Sequence, residues 1–141
     1  MTPLEEAPNL DTAFTHLTEG LRVLLVEDNA DQKYLVERYF RGSTAVLHWE
    51  THGKAALELL KEEDFDLFIL DIMLPDLDGW EVFSEIRKIA QFRRTPVLFM
   101  TCVVPQSLEY PSSDENGFCR TLAKPAKRST FRKAIAALLS H

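Results

Sequence analysis

The chain has 141 residues, a length typical of one domain with its own hydrophobic core, so folding requires neither a disulfide nor a structural metal. Its 22 acidic and 16 basic residues give a formal net charge of -6, which argues against direct nucleic-acid binding because no basic stripe offsets it. No run approaches the roughly 20 apolar residues of a membrane span. The N-terminus lacks the basic and apolar regions of a signal peptide. We therefore expect a cytoplasmic protein without a membrane segment.

Residues 1–20 are predicted to form a polar N-terminal tail, with a short helical piece around Thr12–Thr18 that could dock on the main domain of residues 21–141. From residue 22 onward, apolar runs alternate with stretches of helical spacing. The predicted order is strand 22–26, helix 30–40, strand 44–49, helix 54–61, strand 66–71, helix 80–90, strand 96–101, a short strand ending near Lys124, and helix 130–139 capped by Ser129.

Three of the predicted strands are apolar on both faces, as central strands of a parallel sheet covered by helices must be. Strands that alternate with helices at this spacing indicate right-handed βαβ units. The sequence therefore predicts a three-layer α/β domain of five βα units. The fourth helix is expected to be short, displaced or missing, because residues 103–116 contain Pro105 and Pro111 and show little amphipathic pattern.

Candidate functional residues stand where the predicted strands end. Asp71 closes the apolar run 67–70, the acidic pair Glu27-Asp28 follows the first strand, Thr101 ends the fourth, and Lys124 follows the fifth. Ligands of open parallel sheets bind outside the carboxyl ends of the strands, so we expect these side chains to converge.

The converging residue types suit phosphoryl transfer. Three crowded carboxylates repel one another, and Mg²⁺ relieves that repulsion while favouring carboxylates, waters and a phosphate oxygen as ligands. The Lys124 ammonium and the Thr101 hydroxyl suit phosphoryl oxygens, and Asp71 is a plausible nucleophile toward phosphorus. Trp49 and Trp80 are interpreted as packing residues. The run Asp76-Leu77-Asp78-Gly79 is interpreted as the turn into the next helix rather than a calcium loop, which would need a closing Glu.

Four pieces of the chain, in order, resemble the receiver domain of bacterial two-component response regulators. They are residues 26–29 (Val-Glu-Asp-Asn), residues 70–76 (Leu-Asp-Ile-Met-Leu-Pro-Asp) with Gly79, Met100-Thr101, and Lys124-Pro125. The resemblance spans about residues 21–140 and implies a flavodoxin-like fold with strand order 2-1-3-4-5.

The same resemblance implies roles for the residues. Asp71 would accept a phosphoryl group from a histidine kinase or a phosphotransfer protein. Asp28, Asp71 and the Met73 carbonyl would ligate Mg²⁺, with Glu27 acting mainly through water. Thr101 and Lys124 would bind the phosphoryl group, and the peptide bond from Lys124 to Pro125 is expected to be cis. The chain would catalyse its own phosphorylation and slow hydrolysis without being a metabolic enzyme.

One departure from the family pattern concerns signal output. Receivers usually carry Tyr or Phe three positions before the lysine, whereas this chain has Thr121, so the aromatic half of the switch is missing or relocated. Phe118 and Tyr110 are the candidates to replace it. With the prolines of residues 103–116, this leads us to expect output through another or a reshaped surface, toward a downstream protein effector.

Several alternatives stay open. The chain could be a degenerate receiver used as a protein-binding module, or the receiver part of a larger hybrid kinase, and homodimer formation is undecided. A phosphatase of the haloacid-dehalogenase type needs a second Asp two positions after the nucleophile, where this chain has Met73. Since the chain ends just past its last predicted helix, we expect a stand-alone receiver or one excised from a longer protein.

Overall fold

The computed structural model describes residues 10–102 and 118–140. Its elements alternate between helix and strand in the predicted way. In chain order they are α1 (Leu10–Leu17), β1 (Arg22–Val26), α2 (Ala30–Tyr39), β2 (Val46–Glu50), α3 (Gly53–Leu59), β3 (Leu67–Asp71), α4 (Gly79–Lys88), a 3₁₀ turn (Ala90–Phe92), β4 (Val97–Thr101), β5 (Cys119–Ala123) and α5 (Arg128–Leu139).

The five strands form one parallel sheet in the order β2-β1-β3-β4-β5. β3 and β4 are buried along their whole length, because helices cover both faces of the sheet. A core of aliphatic and aromatic side chains therefore lies on each face: one contains Phe68, Phe92 and Phe99, and the other contains Phe14 and Phe131. The predicted three-layer flavodoxin-like fold and its strand order are confirmed.

The N-terminal helix α1 packs against α5. Phe14 is fully buried, and its ring lies 5.3 Å from that of Phe40. The Thr18 hydroxyl that follows α1 donates to the Phe14 carbonyl and lies 2.6 Å from the Ser43 hydroxyl. The predicted helical piece near residues 12–18 is thus present and docked, while the division into a tail and a domain at residue 20 stays a prediction.

Two local predictions concern the end of the chain and the segment before β5. The predicted Ser129 cap is wrong: α5 begins at Arg128, its N-cap is Lys127, and no side chain caps it. The helix begins two residues earlier than predicted because the Phe131 N–H donates to the Lys127 carbonyl at 3.0 Å, which closes the first helical turn there. The predicted irregular fourth helix falls within residues 103–117 and lies outside the described residues. None of the helices that the structure describes has the length and apolar character needed to cross a membrane.

Candidate functional site

The carboxyl ends of the strands bring the predicted residues to one edge of the sheet. Val26 pairs with Leu70 and Asp71 with Met100, so Glu27 and Asp71 leave adjacent strands at the same level. Thr101 pairs with Ala123, which places Lys124 one residue beyond the end of β5. Because all the strands are parallel, these residues meet although almost 100 positions separate Glu27 from Lys124.

Three carboxyl groups converge at this edge. Oxygen atoms of Glu27, Asp28 and Asp71 all lie within 4.8 Å of one another. Glu27 and Asp71 are buried, whereas Asp28 is exposed. Two carboxyl groups of the cluster are therefore buried, and the third is accessible from solvent.

Lys124 supplies positive charge to this cluster. Its ammonium group donates a hydrogen bond to Glu27 Oε1 and lies 3.3 Å from Asp71 Oδ2, with only 5% of its side chain exposed. The Lys124 backbone N–H donates to the Thr101 carbonyl at 2.8 Å, which fixes the residue against β4. The Lys124–Pro125 peptide bond is cis, as predicted.

Burial and charge shift the pKa values of this pair. Burial raises the pKa of the Glu27 carboxyl to about 7: the hydrogen bond from Lys124 opposes the change, and the nearby Asp71 charge adds to it. Burial alone would lower the pKa of Lys124, but the Glu27 and Asp71 carboxylates outweigh it and raise that pKa. The lysine is therefore held as a cation, while burial and the neighbouring Asp71 make the Glu27 carboxyl harder to ionise.

The loop after Asp71 is held close to the site. The Met73 N–H donates to Asp71 Oδ1 at 3.1 Å, and the Gly79 N–H donates to the Ile72 carbonyl at 2.7 Å. A Cβ at Gly79 would lie 2.3 Å from the Asp71 carbonyl oxygen, so only glycine permits this approach. The loop thus returns sharply beside Asp71, with the Met73 side chain exposed.

Thr101 lies at the end of β4 and is 1% exposed. Thr121 is half-buried in the middle of β5, opposite Phe99 on β4. Of the two aromatic candidates for the switch, Phe118 immediately precedes β5, and its carbonyl accepts from the Val97 N–H at 2.8 Å. Tyr110 lies outside the described residues.

Three residues support this edge in ways that the sequence interpretation missed. Asn29 caps α2 through Gln32, and its backbone N–H donates to Glu27 Oε2 at 3.2 Å. Trp49, interpreted as a packing residue, donates its indole N–H to the Glu27 carbonyl. Asp76, interpreted as a turn residue, accepts from two backbone N–H groups at the start of α3. Asn29 carries the ordinary signal of an N-cap, whereas nothing in the sequence pattern joins Trp49 to Glu27.

The fold is similar to that of solved receiver-domain and response-regulator structures. The receiver domain of a sensor histidine kinase from Pseudomonas aeruginosa PAO1, solved with a magnesium ion coordinated in its active-site cleft, is 26% identical, with a TM-score of 0.73 over 86% of this chain and 99% of that one. A putative response regulator from Chloroflexus aurantiacus has a TM-score of 0.75 at 20% identity, over 87% of this chain and 100% of that one, and shows the shared fold.

Curated relatives include larger signalling proteins. The Vibrio cholerae autoinducer 2 sensor kinase/phosphatase LuxQ is 34% identical over 122 residues, which are 86% of this chain and 14% of that protein. The chain thus spans about a seventh of that relative's length. Residues 23–136 match the family described as the response regulator receiver domain. That match covers most of the chain and includes every strand except the first residue of β1. The protein therefore belongs to the receiver domain family of two-component response regulators.

Proposed function

We propose that this receiver accepts a phosphoryl group on Asp71 from the phosphohistidine of a histidine kinase or phosphotransfer protein, in a Mg²⁺-dependent reaction, and signals to a protein partner. The observation that carries the proposal is the cluster of three carboxyl groups within 4.8 Å, with the Lys124 ammonium against two of them. In the transfer, an Asp71 oxygen forms a bond to phosphorus, the phosphorus–nitrogen bond breaks, and the histidine nitrogen leaves with the bonding electrons.

The residues present fit a magnesium ion. Carboxylate oxygens are hard donors, and Mg²⁺ is held in proteins by one or two carboxylates with waters and phosphate oxygens completing its shell. Asp28 and Asp71 would hold the ion with the Met73 carbonyl, and Glu27 would act mainly through water. When bound, the ion would neutralise negative charge on the transferred group. The exposed position of Asp28 supports entry of an ion from solvent.

The chain's own residues would perform the remaining tasks. Lys124 stands 3.3 Å from Asp71 Oδ2, where its charge can stabilise a phosphoryl oxygen. The Met73 N–H holds Asp71 Oδ1 and so orients the carboxylate. Thr101 would contribute its hydroxyl to the phosphoryl group. Positioning and charge account for most of the catalysis expected of such a site, since the transition state requires little covalent chemistry from the protein.

The test is phosphorylation by a small donor. The chain is incubated with Mg²⁺ and acetyl phosphate, and its intact mass is measured beside that of Asp71→Asn. Asp66→Asn is the matched control, because Asp66 lies just before the opposite end of the same strand and accepts from the Arg22 N–H. We expect a gain of one phosphoryl group in the wild type and in the control, and none in Asp71→Asn.

Other outcomes would favour the alternatives. No gain of mass and no response to beryllofluoride would support a degenerate receiver used as a binding module. Repeated turnover of unrelated phosphate esters would support a phosphatase. The similarity to the LuxQ sensor kinase/phosphatase favours a receiver of the kind found in larger kinases, and that reading predicts a phosphohistidine donor within the same signalling protein.

A further inference from the structure

We propose that Trp49 and Asp76 are positioning residues. They would hold two loops in place before a metal ion binds: the loop that contains Glu27 and Asp28, and the loop that follows Asp71. Trp49 lies on β2, and Asp76 lies in the loop that follows Asp71. Trp49 bonds to Glu27, which directly follows β1, and Asp76 bonds to the start of α3, so β2 and α3 each contact one loop of the site. The inference rests on the proposed function, because it concerns the same magnesium site.

Trp49 fixes the acidic pair from the side of β2. Its indole N–H donates to the Glu27 carbonyl oxygen at 2.6 Å, and the Glu27 N–H donates to the Glu50 carbonyl at 3.0 Å. The Glu27 carbonyl belongs to the peptide that joins Glu27 to Asp28. A tryptophan that restrains this peptide plane therefore restrains the direction in which Asp28 leaves the strand.

The Trp49 ring is itself held in place. The Lys33 ammonium lies 4.9 Å from its centroid, over its face, and pairs with Glu37 on the same helix at 3.1 Å. A half-buried indole with a cation on its face and its N–H bonded to a carbonyl has little freedom to rotate. Phenylalanine at this position would keep the ring and lose the hydrogen bond.

Asp76 fixes the second loop. Its Oδ1 accepts from the Gly53 N–H and its Oδ2 from the Lys54 N–H, both at 2.9 Å. Four backbone N–H groups at the start of a helix lack partners within it, and Asp76 satisfies two of them from a distant loop. The loop between Asp71 and α4, which includes Met73, is thereby fastened to the start of α3.

Gly53 allows this junction to close. A Cβ at Gly53 would lie 2.6 Å from Val82 Cγ2 on α4 and 3.2 Å from Leu77 Cβ. The start of α3 therefore packs closely against side chains of the loop and of α4. With Asp76 bonded at the same point, movement of the loop would have to carry α3 with it or break both hydrogen bonds.

Such restraint matters for magnesium because the ion demands near-ideal octahedral geometry and tolerates displaced ligands poorly. Groups that orient metal ligands from behind typically contribute 10- to 100-fold to metal affinity. We therefore expect Trp49→Phe and Asp76→Ala each to weaken Mg²⁺ binding by about 10- to 100-fold.

The experiment compares each variant with a control substitution of the same residue type elsewhere, and measures the stability of both. Trp80→Phe is the control for Trp49→Phe, since Trp80 stacks on Phe83. Asp78→Ala is the control for Asp76→Ala, because Asp78 caps its own helix by accepting from the Glu81 N–H at 2.7 Å. The dissociation constant for Mg²⁺ is measured by calorimetry, and the free energy of unfolding by urea denaturation.

Two further readouts separate positioning from general destabilisation. In the metal-free protein, amide hydrogen exchange should quicken in residues 26–29 for Trp49→Phe and in residues 72–76 for Asp76→Ala, and stay unchanged there in Trp80→Phe. Raising Mg²⁺ well above the weakened dissociation constant should restore phosphorylation of both variants.

The outcomes distinguish the two proposals. Variants that bind Mg²⁺ within twofold of the wild type, or controls that lose as much affinity as the variants at equal stability, would overturn the positioning role while leaving phosphorylation of Asp71 intact. A wild type that neither binds Mg²⁺ nor gains a phosphoryl group would overturn the proposed function itself, whatever the exchange data show.

Discussion

The acidic edge of the sheet and the junction of α1 with α5 each contain a buried cation, and they use it in opposite ways. Arg132, 3% exposed, donates to the carbonyls of Tyr39 and Arg41 and to Asp11 Oδ1, and it lies over the ring of Phe14. Its partners are mainly neutral, and each of its three guanidinium nitrogens donates a hydrogen bond.

Lys124 instead faces two buried carboxyl groups, with a third nearby. Among the described residues, every buried side-chain nitrogen and oxygen atom has a hydrogen-bond partner, so the two regions differ in charge balance rather than in hydrogen bonding. A buried cation with neutral acceptors fastens helices together. A buried cation outnumbered by carboxyl groups is the charge balance that the proposed magnesium site requires.

The largest effect expected from this comparison is on stability. Phe14→Ala should lower the free energy of unfolding by about 3–5 kcal/mol, because it removes a fully buried aromatic ring from the core. Urea denaturation measures the change. The Mg²⁺ dissociation constant should stay within twofold of the wild type, and a tenfold weakening in the folded variant would show that the two regions are coupled.

Arg132→Lys should destabilise the protein by about 2 kcal/mol, because lysine lacks the guanidinium fork and leaves a buried carbonyl without its donor. Asp11→Asn is the control: Asp11 is largely exposed, and its ion pair should contribute less than about 1 kcal/mol. Equal losses in the two variants, measured by urea denaturation, would mean that the ion pair with Asp11 on α1, rather than the bonds to the carbonyls at the end of α2, accounts for the contribution of Arg132 to stability.

Asp28→Asn should have the opposite effect, lowering the affinity for Mg²⁺ rather than the stability of the fold. We expect Mg²⁺ binding to weaken at least tenfold, or about 1.4 kcal/mol, while the metal-free protein keeps or gains stability because one of three repelling charges is removed. Calorimetry and urea denaturation measure the two quantities, with the exposed Asp31→Asn as the control. A marked loss of metal-free stability would contradict the assignment of this edge to function.

The smallest effect is pH-dependent and concerns Asp76. Slight burial would raise its pKa, but backbone N–H groups including those of Lys54, Leu77 and Gly53 outweigh it and lower the pKa from 3.8 to about 2. A lowered pKa contributes stability that is present above pH 3.8 and is lost as the pH falls through 2. Asp76→Asn should therefore cost about 0.3–1 kcal/mol at pH 5, as for a carboxylate at an exposed helix start. The difference from the wild type should shrink near pH 2. A difference of equal size at both pH values would show that charge is not involved.

The strand order and the acidic edge could be predicted because their signals are local. Apolar runs such as 67–70 identify buried strands, and a parallel sheet then brings Asp71, Thr101 and Lys124 to one edge whatever their separation along the chain. The convergence of the three carboxyl groups within 4.8 Å follows from that arrangement.

Other contacts were decided by tertiary structure alone. Arg132 and Asp11 are 121 positions apart, and Trp49 and Glu27 are 22 apart. Each pair is joined by a hydrogen bond that leaves no periodic trace in the sequence. The Ser129 cap was wrong because the first helical hydrogen bond of α5 runs between backbone groups, from the Phe131 N–H to the Lys127 carbonyl, and no capping side chain marks that start in the sequence. The sequence by itself thus determined which chemical groups meet at the end of the sheet. Tertiary packing decided how firmly they are held, because that depends on single hydrogen bonds between elements that no local pattern encodes.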